Sequence, residues 1–344
     1  MKIFPQLWTL LCGLLLLAAC GSDDDILTVP QDCGEQFICW RSTLNTNDSS
    51  LQILSFDNPM PAAVTPLQIG SLQAFNPLRI ILPTSNAVYD QDSEQIVGII
   101  SREKTLIRHH TASGNSSALP LPTFVTAPIF LQGNCYGIDI PNGYSSGGTA
   151  TFSIVQIDPA TGLFIDSLAL SSNSFDYRSF FHHESISAAT DGQDQLFFLG
   201  GTNLVMIQVS TGQVKVIDLY PNFNSSNDFV RFYGLEFRSA NRLLAVREGS
   251  DDPSELVEIQ IVGNVAQVGS LFDFSEDLPA LGDWTLNREF YSTVYDACKN
   301  QYHIATLASL NPQTTTKLIN VDLNSRTAQQ QIVADYWFGI NLME

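Results

Sequence analysis

Basic residues are scarce in this chain: 16 lysines and arginines stand against 35 acidic residues, a formal charge of -19 over 344 residues. A surface so negative repels nucleic acid and anionic lipid headgroups, which excludes both as general partners. Charge of either sign is sparse, at 15% of residues, while the apolar share of 44% is ordinary for a globular protein. The six cysteines include no CxxC and no Cys/His pair at zinc spacing, so neither a metal nor a cofactor is expected. The apolar stretch 10–17 is too short to span a membrane.

That stretch belongs instead to an export signal. Lys2 supplies positive charge, the apolar core follows, and it ends in Leu17-Ala18-Ala19-Cys20. This resembles the lipobox of bacterial lipoproteins, in which the peptide is cut before the cysteine and the cysteine is lipidated. The resemblance implies a lipid on Cys20. The following Gly21-Ser22-Asp23-Asp24-Asp25 resembles the surface-export signal of Bacteroidota lipoproteins, though short acidic runs also serve as plain solvated tethers. The expected organisation is a signal peptide over 1–19, an acidic lipidated tether over 20–32 and one domain over 33–344. The expected address is the outer membrane, on the cell surface. Cys12 leaves with the signal, and Cys33, Cys39, Cys135 and Cys298 remain in an oxidising compartment, where three disulfide connectivities stay open.

The rest of the chain repeats one grammar. Around residue 200, four short apolar runs are joined by Asp191-Gly192-Gln193-Asp194, Gly200-Gly201-Thr202-Asn203 and Ser210-Thr211-Gly212, turns rich in the residues that tolerate positive φ. Similar four-strand units are expected over 86–121 and 127–170, and again around residues 245 and 310. Val88-Tyr89-Asp90 with Gln95 matches Val294-Tyr295-Asp296 with Gln301. A four-strand period of roughly 35–55 residues reads as β-propeller blades. The first group has three strand-like runs, at 37–41, 51–56 and 64–69. The last residues, Trp337-Phe338-Gly339-Ile340-Asn341-Leu342, resemble the start of another unit at Tyr233-Gly234-Leu235-Glu236-Phe237. Joined, the two ends make a sixth blade and remove the open edges. A pair of β-sandwiches accounts less well for the repeat and the matched deficits. The whole resembles six-bladed propellers of the TolB-like and NHL-like kind, in architecture and not in any functional motif.

Chemistry is thinly signposted. Gly143-Tyr144-Ser145-Ser146-Gly147 fits the nucleophile-elbow pattern, but a strand follows where that motif needs a helix. The acidic turns at 90–94 and 251–255 lack the full calcium-loop spacing. His182 and His183 are adjacent, so an extended chain points them to opposite faces. Either could join Glu184 at a site, or be an ordinary loop histidine. The broadest pattern is an arginine followed by aromatics ahead of several first strands: Arg178-Ser179-Phe180-Phe181, Arg231-Phe232-Tyr233 and Arg288-Glu289-Phe290-Tyr291, with Asp335-Tyr336-Trp337 in the joining unit. Arg and aromatic rings together stack on sugars or clamp carboxylates. The same pattern also serves as a structural device, with each Arg paired locally and the rings packed between blades. The candidate ligand-binding residues are therefore Arg178, His182, Glu184, Arg231, Arg288 and Trp337. The residues point first to a non-catalytic module binding a glycan or an envelope protein. A glycan lyase or hydrolase using the channel face, and a structural subunit of an outer-membrane complex, are the alternatives.

Overall fold

The computed structural model describes residues 36–43, 48–55, 58–66, 87–100, 104–140, 152–170, 186–220, 230–249, 254–275, 291–309 and 315–343. The chain divides into two units, 1–32 and 33–344, and every described residue belongs to the second. Its described residues form strands and the turns between them, in six antiparallel four-stranded sheets.

The chain begins in the blade that it finishes last, with β1 (Gln36–Thr43), β2 (Asp48–Ser55) and β3 (Asn58–Pro66). Five complete blades follow. They are β4 (Ala87–Asp90), β5 (Gln95–Ile100), β6 (Thr105–His110) and β7 (Ser116–Pro120); then β8 (Phe124–Leu131), β9 (Asn134–Ile140), β10 (Ser153–Ile157) and β11 (Phe164–Ala169). The third comprises β12 (Ser187–Thr190), β13 (Gln195–Gly200), β14 (Asn203–Gln208) and β15 (Gln213–Asp218). The fourth comprises β16 (Arg231–Ser239), β17 (Arg242–Glu248), β18 (Glu255–Val262) and β19 (Val265–Asp273). The fifth comprises β20 (Tyr291–Asp296), β21 (Gln301–Ser309), β22 (Thr315–Asp322) and β23 (Thr327–Ala334). The last strand, β24 (Tyr336–Met343), returns to pair with β1, and the sixth sheet has the order β24-β1-β2-β3. The first strands touch in sequence, β4 to β8 to β12 to β16 to β20 to β24 and back to β4, so the ring is closed. This is a six-bladed propeller completed by its own C-terminal strand.

Several boundaries differ from the sequence expectation, two of them at the start of a blade or an outer strand. The second blade starts at Phe124, three residues earlier than the apolar pattern indicated. The residues Asn58 and Pro59, of turn composition, open β3 instead. The sheet order explains the second case: β3 is the outermost strand of its blade, and an edge strand tolerates proline because no ladder bond is lost on its free side.

Burial follows the blade geometry. Inner and middle strands are covered on both faces by neighbouring blades, so they read as near-continuous apolar runs such as Leu196-Phe197-Phe198-Leu199, all buried. Successive residues serve opposite interfaces: Phe198 packs toward the second blade with Leu131 and Ile138, Phe197 toward the fourth with Leu243 and Ala245. Outermost strands such as β11 keep most residues exposed. The turns carry their own hydrogen bonds; one carboxylate oxygen of Asp191 accepts from the amides of Gln193, Asp194 and Gln195 at 2.8, 2.9 and 2.9 Å.

Of the cysteines, Cys39 and Cys135 are free and buried, and burial pushes both thiols far from ionisation, Cys135 up to about 12. Cys298 is in a disulfide whose partner lies outside the described residues.

Candidate functional site

Antiparallel blades give the ring two unlike faces. In every blade the first-to-second and third-to-fourth connections lie on one face, and the second-to-third connection together with the link to the next blade lies on the other. On the first face the connections are tight, among them 91–94, 132–133, 240–241, 263–264 and 323–326, and the longest is 158–163. On the second face lie the long ones, 67–86, 141–152, 170–186, 219–230 and 274–290. Long connections are expensive to order and commonly carry function, so this long-connection face is the candidate site.

Strand topology attaches the segments bearing Arg178, His182, Glu184 and Arg288 to this face, although these four residues lie outside the described ones. So do the elbow-like 143–147 and the acidic 251–253. Arg231 is described: it opens β16 at the same face, opposite Glu248 across the β16–β17 ladder. Trp337 lies near the start of β24, also at this face, but its ring is 3% exposed and packs between the fifth and sixth blades with Phe37, Ala305, Leu318 and Ile340.

The aromatic half of the recurring pattern points inward wherever it is described. Phe232 fills the interface of the third and fourth blades. Tyr233 and Tyr291 meet between the fourth and fifth, ring centroids 4.5 Å apart. Alternation along a first strand sends consecutive side chains to opposite blade interfaces, so a pair of large rings seals two junctions at once.

What Trp337 presents upward is a cation. The Arg41 guanidinium lies over its ring, 5.5 Å from the centroid, and donates through Nε to Asp335 Oδ2 at 2.7 Å and through Nη2 to the same oxygen. Asp335 is the whole connection between β23 and β24 and holds φ at 71°, a left-handed conformation costly for a residue with a side chain. Thr316 Oγ1 donates to its carbonyl at 2.9 Å and accepts from the Trp337 amide at 3.0 Å, while Trp337 Nε1 donates to Ala334 O at 2.7 Å. Arg247, at the end of β17, is paired with Glu255. The described arginines of this face are thus set among acids, and a ligand carboxylate would compete with Asp335 for Arg41.

A second polar layer, not foreseen from the sequence, runs round the ring of first strands. Leu235 N donates to Ser187 Oγ at 3.0 Å, and Ile340 N to Ser292 Oγ at 2.8 Å. Tyr89 N donates to Asn341 Oδ1 at 3.1 Å, and Thr293 Oγ1 to Glu236 Oε1 at 2.8 Å. Each bond crosses from one blade to the next. Some solvent reaches Glu236, yet protein encloses it so closely that burial pushes its carboxyl up to about 8. His303, packed edge-on to Phe37 with centroids 4.8 Å apart, is pushed down to about 3 by burial and stays neutral. Among the described residues, no three His, Cys, Asp or Glu side chains come together as metal ligands.

No protein-family model matches the sequence, and no curated protein does. Solved structures do resemble it in shape. TolB from Acinetobacter baumannii is similar over 91% of this chain and 68% of its own, with a TM-score of 0.56 and 13% identity. The major allergen Mala s 1 of Malassezia sympodialis matches 74% of this chain and 79% of its own, with a TM-score of 0.48 and 9% identity. A putative 6-phosphogluconolactonase from Bacteroides fragilis matches 89% and 83%, with a TM-score of 0.45 and 9% identity. At 13% identity, the likeness to TolB speaks for the propeller fold alone.

Proposed function

We propose that this protein is a lipid-anchored propeller of the cell envelope that binds a glycan or an envelope protein on its long-connection face, without catalysis. The observation that carries this reading is the division of the connections, tight turns on one face and all the long segments on the other. The anchor follows from the lipobox at Cys20 and the display at the surface from Ser22 and the acids after it. Arg178 and Arg288 precede the first strands β12 and β20, Arg231 opens β16, and in this reading the three supply the polar contacts; His182 and Glu184 lie on the same connection as Arg178. The excess of acid elsewhere excludes nucleic acid as the partner.

Two experiments test it. Replacement Cys20→Ala is expected to abolish uptake of labelled fatty acid and release the protein from membranes; a wild type that takes up no label removes the anchor. A panel of acidic and neutral glycans and of solubilised envelope proteins is then offered to the wild type and to Arg231→Ala, Arg288→Ala. Binding by the wild type and a loss of about tenfold or more in the double variant are expected, each arginine contact to a carboxylate contributing on the order of 1 kcal/mol or more. Equal binding by both proteins, with folding intact, takes these arginines out of the site.

A further inference from the structure

The cysteines leave one bond half assigned. Cys298 is disulfide-bonded, while Cys39 and Cys135 are free and buried. The partner of Cys298 is therefore Cys12, Cys20 or Cys33. Cys12 and Cys20 fall in the first unit, 1–32, whereas Cys33 opens the unit that contains Cys298. In the sequence, Cys33 precedes the first residue of β1, Gln36, by three positions.

The start of β1 lies close to Cys298. That cysteine is exposed in the connection 297–300 between β20 and β21, on the short-turn face. β24, like β20, is a first strand and ends at this face, so its ladder partner β1 begins there, at the rung Gln36↔Met343. One residue on, Phe37 packs edge-on to His303 of β21, with ring centroids 4.8 Å apart. His303 stands two residues beyond Gln301, where the 297–300 connection ends. The first residues of β1 and the turn that carries Cys298 are thus neighbours across the interface of the fifth and sixth blades. Three extended residues cover about 10 Å. A disulfide needs Cα atoms about 5.5–6 Å apart, a demand that three residues of slack meet with the described strands left as they are.

We propose that Cys33 is the partner of Cys298, and that this bond staples the N-terminal strands of the sixth blade to the fifth. β24 continues from the fifth blade through Asp335, but β1, β2 and β3 come from the opposite end of the chain and meet β24 by a ladder. The rung Gln36↔Met343 joins residues near both ends of that ladder's chain segments, where strands open first. A bond from Cys33 to the β20–β21 turn holds this rung from outside. It also makes the ring a covalent loop of about 265 residues, which restricts the unfolded chain. In forming the bond the two thiols lose two protons and two electrons to a disulfide-bearing oxidant, itself reduced to two thiols. Export, read from residues 1–19, supplies the compartment where such an oxidant acts, and the proposal rests on that reading to this extent.

The first test is disulfide mapping of the unreduced full-length protein after cleavage at acidic and basic residues. Asp32 and Glu35 flank Cys33 and part it from Cys20 and Cys39, while Asp296 and Lys299 flank Cys298. A Cys33 peptide joined to a Cys298 peptide, and released by reductant, is expected. Cys298 joined to Cys12 or Cys20, or still a thiol after incubation with oxidised glutathione, overturns the pairing. The expected bond appearing only after that incubation keeps the pairing and removes export from the account. The staple itself is read in the melting temperature. Cys33→Ser, Cys298→Ser and the double variant are expected to melt together, about 5 °C or more below the wild type, and reduced wild type to melt with them. Single losses that add in the double variant, or a wild type whose melting is unchanged by reduction, overturn the staple. Reduction of the folded wild type gives this reading even where a serine variant fails to fold.

Discussion

A chain ended at Asp335 is expected to lose its cooperative thermal transition, or to melt far below the full-length protein. The deletion removes β24, and with it the ladder from Gln36↔Met343 to Ser42↔Tyr336 on the inner side of β1. It also removes Trp337 and Ile340 from the core shared with Phe37, Cys39, Ala305 and Leu318. Truncating one buried tryptophan in place costs about 3–5 kcal/mol. Here two core side chains, a ladder and the cation–π contact with Arg41 go together, against a typical total stability of about 5–15 kcal/mol. The sixth blade would be left as three strands with an open edge, a template for aggregation. A truncated protein that melts with the full-length one would mean that the ring does not depend on its last strand.

Gly339→Val is expected to be the most damaging single substitution. At φ 60° a side chain costs ~1–2 kcal/mol, and more when branched at Cβ. Space is also lacking: an added Cβ would lie 2.6 Å from Ala87 Cβ and 3.1 Å from Trp40 Cδ1. Ala87 Cβ is fixed to the backbone of β4 and has no rotamer with which to withdraw, so the sixth and first blades must part. A loss of about 3–5 kcal/mol, seen as a fall in Tm on the order of 10 °C, is the expected result. Gly269→Val is the matched control. It lies in the outer strand β19 at ordinary φ, with no atom within 4 Å of an added Cβ, and is expected to stay within about 0.5 kcal/mol of the wild type. If the two variants melt alike, the close approach at the closing junction does not exist.

The ring was legible in the sequence because blade formation is a local affair. Four apolar runs and three turns within some forty residues fix a sheet, and Val88-Tyr89-Asp90 repeated as Val294-Tyr295-Asp296 fixes the period. Closure was legible for the same reason: three strands at one end and a lone strand at the other have one tidy solution. Even the glycines left a trace, since Tyr233-Gly234-Leu235-Glu236 and Phe338-Gly339-Ile340-Asn341 differ by conservative steps. What the trace could not reveal was its cause. A bulge that frees an amide for a serine 48 residues away belongs to neighbouring blades, and no local pattern encodes it.

The candidate site was legible in outline only. Arginine and aromatic recur together in the sequence, yet the structure separates them: Phe232, Tyr233, Tyr291 and Trp337 pack between blades, whereas Arg231 opens its strand at the face. Strand periodicity assigns alternate sides but not which side is solvent, because both sides of an inner strand are covered. Arg41 escaped notice because it lies in the N-terminal strand group, and only closure carries it to Asp335, 294 residues on. Glu236 escaped because a lone glutamate in an apolar strand reads like any exposed one until its neighbours from the next blade are in place.

Native-state amide exchange of β24 tests the closed ring most directly, since the exchange of each amide reports whether its strand opens alone or with the whole fold. The amides of β24 that pair with β1 are predicted to exchange as slowly as those of β13 and β17 in the complete blades. Exchange at the rate of a frayed terminus, with β13 and β17 still protected, would show that the last strand does not close the propeller.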